Sequence, residues 1–269
     1  MSRLLRTPKV QMLVILAILL AIAIPSDGGA ALAPSLVAAI VPACLIDGIW
    51  LSASARRFRF PMSALLSGLF VFSILSVDTS WLVVAWTSAL AVLGKRILMT
   101  GRGHIFNPAA LALVLAPIAF GSGESWWGAL GDVSWVWLIV LIAAGVFLVD
   151  RLNKFPLVLT FLAAYFGFFL VASTLNAHAV AEMFREPFLQ AALFLAFFML
   201  TDPPTSPNRY VDQVWFGLLA ALTAGAAQLL GAGQVYLLIA VLVPNAVLVL
   251  VRHVRRQPTE AHVSARAMA

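Results

Sequence analysis

Two short blocks hold most of the residues that could do chemistry. The first, "GKRILMTGRGHIFNPAALALVL", runs from Gly94 to Leu115 and sets Lys95, Arg96, Arg102 and His104 ahead of Asn107-Pro108. Asn107 suits a helix N-cap, and Pro108 suits the first helical position because its missing N–H would lack a partner there anyway. The N–H groups free at such a start favour anions or carbonyl oxygens. Gly101 and Gly103 let the backbone come close to a ligand. The second block, "FMLTDPPTSPNR", runs from Phe198 to Arg209 and carries one carboxylate, three prolines and four hydroxyl- or amide-bearing residues. Thr201 or Asp202 can accept backbone N–H bonds, Pro203-Pro204 stiffens the chain, and Ser206-Pro207 can restart a helix. Each block also reads more plainly: an ordinary loop before a capped helix, and a rigid hairpin with no ligand.

The elements that must position these blocks are membrane helices. The chain has 269 residues, 62% of them hydrophobic and 10% charged, with a mean hydropathy of +1.01. A soluble domain is roughly 25% charged. Apolar runs recur from Val10 to Val251 with short polar breaks, which marks an integral membrane protein. No small-residue cleavage site follows the first run, so it reads as a spanning helix rather than a signal peptide. One transmembrane domain is expected over 1–251, with halves near 10–120 and 135–251 and a short basic tail over 252–269.

Ten apolar segments are predicted: Val10–Ile24, Ala33–Leu51, Phe60–Val77, Trp81–Leu93, Pro108–Phe120, Trp135–Val149, Phe155–Leu175, Pro187–Leu200, Val211–Leu230 and Val235–Val251. Alternating the gaps between two sides puts 16 of the 17 Lys and Arg on the side of the N-terminus and leaves only Arg185 opposite. The positive-inside rule makes the basic side cytoplasmic, with both termini inside. The formal charge of +6 is therefore an orientation signal, and no nucleic-acid partner is expected. Trp50, Trp81, Trp126, Trp127 and Trp135 fall near span ends, as in an aromatic belt.

Crossing takes about 20 residues. Trp81–Leu93, Pro108–Phe120 and Pro187–Leu200 have 13, 13 and 14, the pattern of broken helices around a midplane site. Five plus five spans would turn the second half upside down. The third-to-fourth junctions, "SVDTSWLVVAW" and "LTDPPTSPNRY", both carry Asp with a following Thr-Ser: Asp78, Thr79, Ser80 and Asp202, Thr205, Ser206. The fifth helices both carry Asn beside Pro, Asn107-Pro108 and Pro244-Asn245. The expected fold class is an all-α polytopic membrane protein of about ten helices in two inverted five-helix halves, some of them short or broken.

"GRGHIFNPAALALVL" and "FMLTDPPTSP" resemble the FNPA and TDP-x-TSP signatures of the NqrB/RnfD family, the flavin-carrying membrane subunits of the sodium-translocating NADH:quinone reductase and of the Rnf electron-transport complex. The resemblance covers the helix plan along most of the chain. It implies a fold similar to urea transporters, a bacterial cytoplasmic (inner) membrane location, and partners among redox membrane subunits, flavoproteins and quinone. It also implies a flavin or ion path lined by Arg102, His104, Asn107, Pro108, Thr201, Asp202, Thr205 and Ser206. The family's best-known members attach FMN to a threonine of an S-G-A-T-type motif between the fifth and sixth spans. Here that link, "GSGESWWGALGDVS", has no threonine, so covalent FMN is not expected and non-covalent FMN or riboflavin takes its place.

Two function classes follow: an electron-transfer subunit of an oxidoreductase complex, linked to flavin or quinone and coupled to ion translocation, or a small-solute or ion channel of the same inverted fold without redox chemistry. Cys44 is the one cysteine, so no iron–sulfur cluster is expected. His104, His178, His253 and His262 all lie outside span centres, so no haem is expected either, and no metal-ligand cluster appears. Asp47 in "CLIDGIW" is the acid most embedded in apolar sequence. It can pair with Arg56 or Arg57, or serve an ion- or proton-linked role.

Overall fold

A computed structural model describes residues 7–55, 57–100, 103–131, 133–175 and 180–254. Ten main helices follow in order: α1 Pro8–Asp27, α2 Ala33–Ala55, α3 Met62–Ile74, α4 Trp81–Ile97, α5 Pro108–Phe120, α6 Val136–Leu152, α7 Phe155–Ser173, α8 Phe188–Phe194, α9 Tyr210–Leu229 and α10 Tyr236–Val254. Each coincides with one predicted segment. Among the described residues, four stretches are long and apolar enough to cross a membrane: Pro8–Asp27, Gly29–Ala55, Phe155–Ser173 and Gly233–Val254. The outward faces are apolar, as with Val37, Leu45 and Ile49 of α2 and Leu159 and Leu170 of α7, whereas Asp47, Asn107, Gln190, Thr201 and Asn245 are buried inside. Apolar outside and polar inside is the arrangement that lipid requires. The molecule is an all-α polytopic membrane protein.

The packing repeats. α2 lies against α3 and α4, and α4 against α5; in the second half α7 lies against α9, and α9 against α10. Across the halves α1 meets α6 and α5 meets α10. Close helix approach needs small residues. A Cβ on Gly68 of α3 would collide with the carbonyl oxygen of Ala39 in α2.

The third helix of each half is the irregular one. α3 spans 13 residues, fewer than predicted, because the chain beyond it turns extended. Leu75 pairs with Glu124 as an antiparallel bridge, and the N–H groups of Ser125 and Trp126 both donate to Ile74 O. α8 gives way to a π turn over Leu195–Met199, in which Leu200 N donates to Leu195 O at 2.9 Å. Trp81–Leu93 is not short: α4 continues to Ile97, so Lys95 and Arg96 are helical. α10 likewise continues to Val254, taking the first residues of the expected tail into the helix; residues 255–269 lie outside the described residues.

Two other expectations change. Trp126 and Trp127 are buried, not belt residues, because their indole N–H groups find interior acceptors: Gln234 O at 3.1 Å and Phe72 O at 2.9 Å. Trp50, Trp81 and Trp135 are exposed as expected. Asp47 is fully buried and ion-paired to α4: Lys95 Nζ lies 3.4 Å from its carboxylate and Arg96 Nη2 donates to Oδ1; of its expected partners, Arg56 lies outside the described residues. Extension of α4 past Leu93 is what brings those cations level with it.

Candidate functional site

Contacts gather parts of the chain at two separate ends. The starts of α1, α3 and α5, the α6–α7 corner, the 200–209 hairpin and the end of α10 gather at one end. Pro8, Ser63, His104, Leu152 and Asp202 line one cavity there, and Arg252 reaches Ser206 O at 3.3 Å. At the other end the 121–134 link joins the residues after α3 and before α10.

The first block folds as its residue types dictate. Met99-Thr100 and Gly103-His104 form a two-stranded antiparallel ribbon that delivers the chain to Asn107. Asn107 caps α5, its Oδ1 accepting from Ala110 N at 3.1 Å, with Pro108 at the first helical position. Arg102 and Gly101 lie outside the described residues.

The second block is a wound hairpin. Asp202 O accepts from the N–H groups of Thr205 and Ser206, at 3.1 and 2.9 Å. Thr201 folds its hydroxyl back onto Phe197 O at 2.7 Å and so stays inside the helical stem. Among the described residues the Asp202 carboxylate accepts from no backbone N–H, contrary to expectation. It accepts from the Thr205 hydroxyl at 3.2 Å and faces His104, whose Nε2 is 3.8 Å away, because the turn is closed by the Asp202 carbonyl instead. Ser206 is fully buried, and its Oγ has no partner among the described residues.

Asn245, from the middle of α10, joins the two blocks. Its Oδ1 accepts from Asn107 N at 3.0 Å and its Nδ2 donates to Thr205 O at 3.0 Å. Asn107 Nδ2 completes the link by donating to Met199 O at 3.4 Å. Lys154, 2% exposed, donates to Pro207 O and to Asn208 Oδ1 at 3.0 Å. Burial, with Arg252 nearby, lowers its proton affinity to about pKa 8, while Asp202 opposes the shift. Gln213 ties the hairpin exit to the α6–α7 corner through Asn153 O and Asn208 O. Asn245 was visible in sequence only as a repeat match to Asn107. Lys154 read as an orientation signal, and nothing local marked Gln213.

Two cavities share His104 and Pro204 as a common wall. The inner one, of about 40 Å³, is lined by Lys9, Ser63, Ser67, His104, Asn107 and Asp202 among others. The mouth cavity, of about 120 Å³, is lined by Thr100, Gly103, His104, Pro204, Val249, Arg252 and His253. A water needs roughly 10–15 Å³ of such space, so the inner cavity takes a few waters. Pockets for flavin-sized ligands run to roughly 300–1,000 Å³, so neither cavity encloses a flavin. The larger grooves, of about 490 to 600 Å³, are open and almost wholly apolar, with no charged group to orient one. Of the predicted site residues, His104, Asn107, Pro108 and Asp202 share the inner cavity. Thr205 is one bond away, and Thr201 and Ser206 hold the hairpin from within.

No curated protein matches the chain. The family model described as NQR2, RnfD, RnfE family matches residues 124–260, about half of the chain. That range contains the hairpin, Lys154, Asn245 and Arg252, while the Asn107 block lies before it. The chain belongs to the NQR2, RnfD, RnfE family.

Proposed function

We propose that the chain is an integral membrane subunit of an electron-transport assembly and that its central site handles protons. The observation that carries this reading is the His104–Asp202 pair, 3.8 Å apart, on the wall of a water-sized cavity where the two halves meet. The two ring nitrogens of an imidazole can donate and accept, so it can relay a proton between a carboxylate and cavity water. Ser63, Ser67 and Asn107 offer further hydrogen-bonding groups to that water.

The basic side faces the cytoplasm of a bacterial inner membrane. The redox groups lie with partner subunits, and flavin or quinone is held at an interface with them, since the two cavities at the hairpin are too small for either. A solute channel is the weaker reading, since the inner cavity admits only water-sized species.

Mild-detergent purification of the tagged chain from its own membranes tests the proposal. The expected result is a coloured assembly with other membrane and flavin-bearing subunits, whose vesicles acidify when an electron donor is added. A colourless single chain that carries a neutral solute into liposomes would sink it.

A further inference from the structure

A groove along the open face of α2 plays no part in the central site. Leu45, Gly48, Ile49, Ser52, Phe58 and Phe60 are among its lining residues. Its volume is about 490 Å³, and apart from Ser52 and Cys44 the lining is apolar. On α2 the lining runs from Ile40 to Ser52, a rise of about 18 Å. That is roughly the depth of one leaflet in a hydrocarbon core of about 30 Å.

The groove ends where basic residues stand. Phe58 and Phe60 line it, and Arg57 and Arg59 alternate with them as exposed residues. Arg59 N donates to Ser52 Oγ at 3.3 Å, which seats this link on the groove wall. Among the described residues neither guanidinium has a carboxylate within ion-pair distance, and Asp47, the acid of α2, is taken by Lys95 and Arg96. A long arginine stem can lie along apolar surface and carry its charge to headgroup level. We infer that the groove binds an anionic phospholipid, with an acyl chain along α2 and the phosphodiester at Arg57 and Arg59.

Charge selects this occupant. A zwitterionic lipid fits the apolar part equally, but its own cation offsets the attraction. A helix of another chain would cover the apolar part and leave the arginines unanswered. The inference is independent of the proton-handling reading, since the groove shares no lining residue with either cavity at the hairpin.

Native mass spectrometry of the full chain, delipidated in a neutral detergent, provides the test. The protein is titrated with phosphatidylglycerol and with phosphatidylcholine of identical acyl chains. One phosphatidylglycerol should bind about tenfold more tightly than phosphatidylcholine. Arg57→Gln and Arg59→Gln should each weaken phosphatidylglycerol about fivefold and leave phosphatidylcholine unchanged. A Cβ on Gly48 would meet Pro61 at an ordinary 3.6 Å, so Gly48→Leu should fill the groove and weaken both lipids. Arg209→Gln, at an exposed arginine before α9, should change neither.

Thermal unfolding in the same detergent checks that each variant is folded. Should Gly48→Leu fail that check, the two arginine variants decide alone. Equal affinity for the two lipids would leave the groove to bulk lipid. Retention of neither would leave it to a helix of another chain. Equal weakening by Arg209→Gln would reduce the effect to the charge of the basic side as a whole. Each of these three results overturns the inference.

Discussion

The main-chain N–H of Asn107 donates to Asn245 Oδ1 at 3.0 Å, across 138 residues of sequence. Both residues are buried, and each comes from the fifth helix of its half. An amide side chain has both a donor and an acceptor, and Asn245 spends them on different blocks, Asn107 N and Thr205 O.

Asn245→Ala therefore strands a buried N–H and a buried carbonyl at once. The expected cost is about 1–3 kcal/mol. Asn107→Ala loses its cap as well, about 1 kcal/mol. Asn107→Ala keeps the main-chain N–H that Asn245 accepts from, but its lost side-chain bond to Met199 O fixes the same junction with the hairpin as Asn245 does, so the double variant should cost less than the sum. Thermal unfolding of the four proteins in one detergent reads the cycle, and strict additivity would show that the halves are not locked here.

Gly145 of α6 faces the ring of Phe197 in the π turn, so closely that a Cβ would overlap it. Gly145→Ala should cost roughly 1–3 kcal/mol by overpacking. Phe197→Leu in the same chain should restore part of that loss. Failure of the second change to rescue the first would mean that the damage arises elsewhere in α6.

Glu124 is 8% exposed in the link after α5, and burial raises its pKa to about 7. An unfolded Glu titrates near 4.3. Between those values the folded state holds more protons than the unfolded one, so stability falls as pH rises from about 4.3 to 7 and then levels off. Glu124→Gln should flatten that slope and raise stability at pH 8 by on the order of 1–3 kcal/mol. Melting temperatures at a series of pH values decide the point; identical slopes in both proteins would place the titrating group elsewhere.

Lys154 runs the opposite way. Its folded pKa, about 8, lies below the unfolded value near 10.4. Between these the unfolded state holds more protons, so this group adds stability as pH climbs from about 8 to 10.4. Lys154→Met should remove the rise, and at pH 7 it also leaves Pro207 O and Asn208 Oδ1 without their donor. Proteolysis at the hairpin, faster in the variant at pH 7, reports the second effect; an unchanged cleavage rate would mean that other bonds hold the turn.

The helix plan was legible because lipid enforces it. Apolar runs and the sided placement of basic residues mark spans without any knowledge of packing. The Asn107 cap was legible because its signal is local. Helix ends set by distant partners were not. α3 stops where Leu75 pairs with Glu124, 49 residues on, and α4 runs past Leu93 to bring Lys95 and Arg96 to a carboxylate in α2. The partner of Asp202 was hidden for the same reason. Sequence spacing suggested N–H groups inside the turn, whereas the ribbon before α5 brings His104 from the other half.

That pair carries the functional prediction. His104 Nε2 and Asp202 Oδ2 are 3.8 Å apart, with side chains 11% and 24% exposed. A partly exposed contact of this length is worth about 0–1 kcal/mol, so neither His104→Gln nor Asp202→Asn should lower the unfolding midpoint much. Both substitutions keep hydrogen-bonding capacity and remove the imidazole-to-carboxylate proton path. If the pair only joins two loops, vesicle acidification should persist in both variants. If it handles protons, donor-driven acidification should be lost while electron transfer to an added acceptor continues. The two readouts come from the same vesicles, so misassembly, which abolishes both, is told apart from uncoupling, which abolishes one. Wild-type acidification in a well-folded His104→Gln protein would end the proton-handling reading and leave His104 as the wall between two cavities.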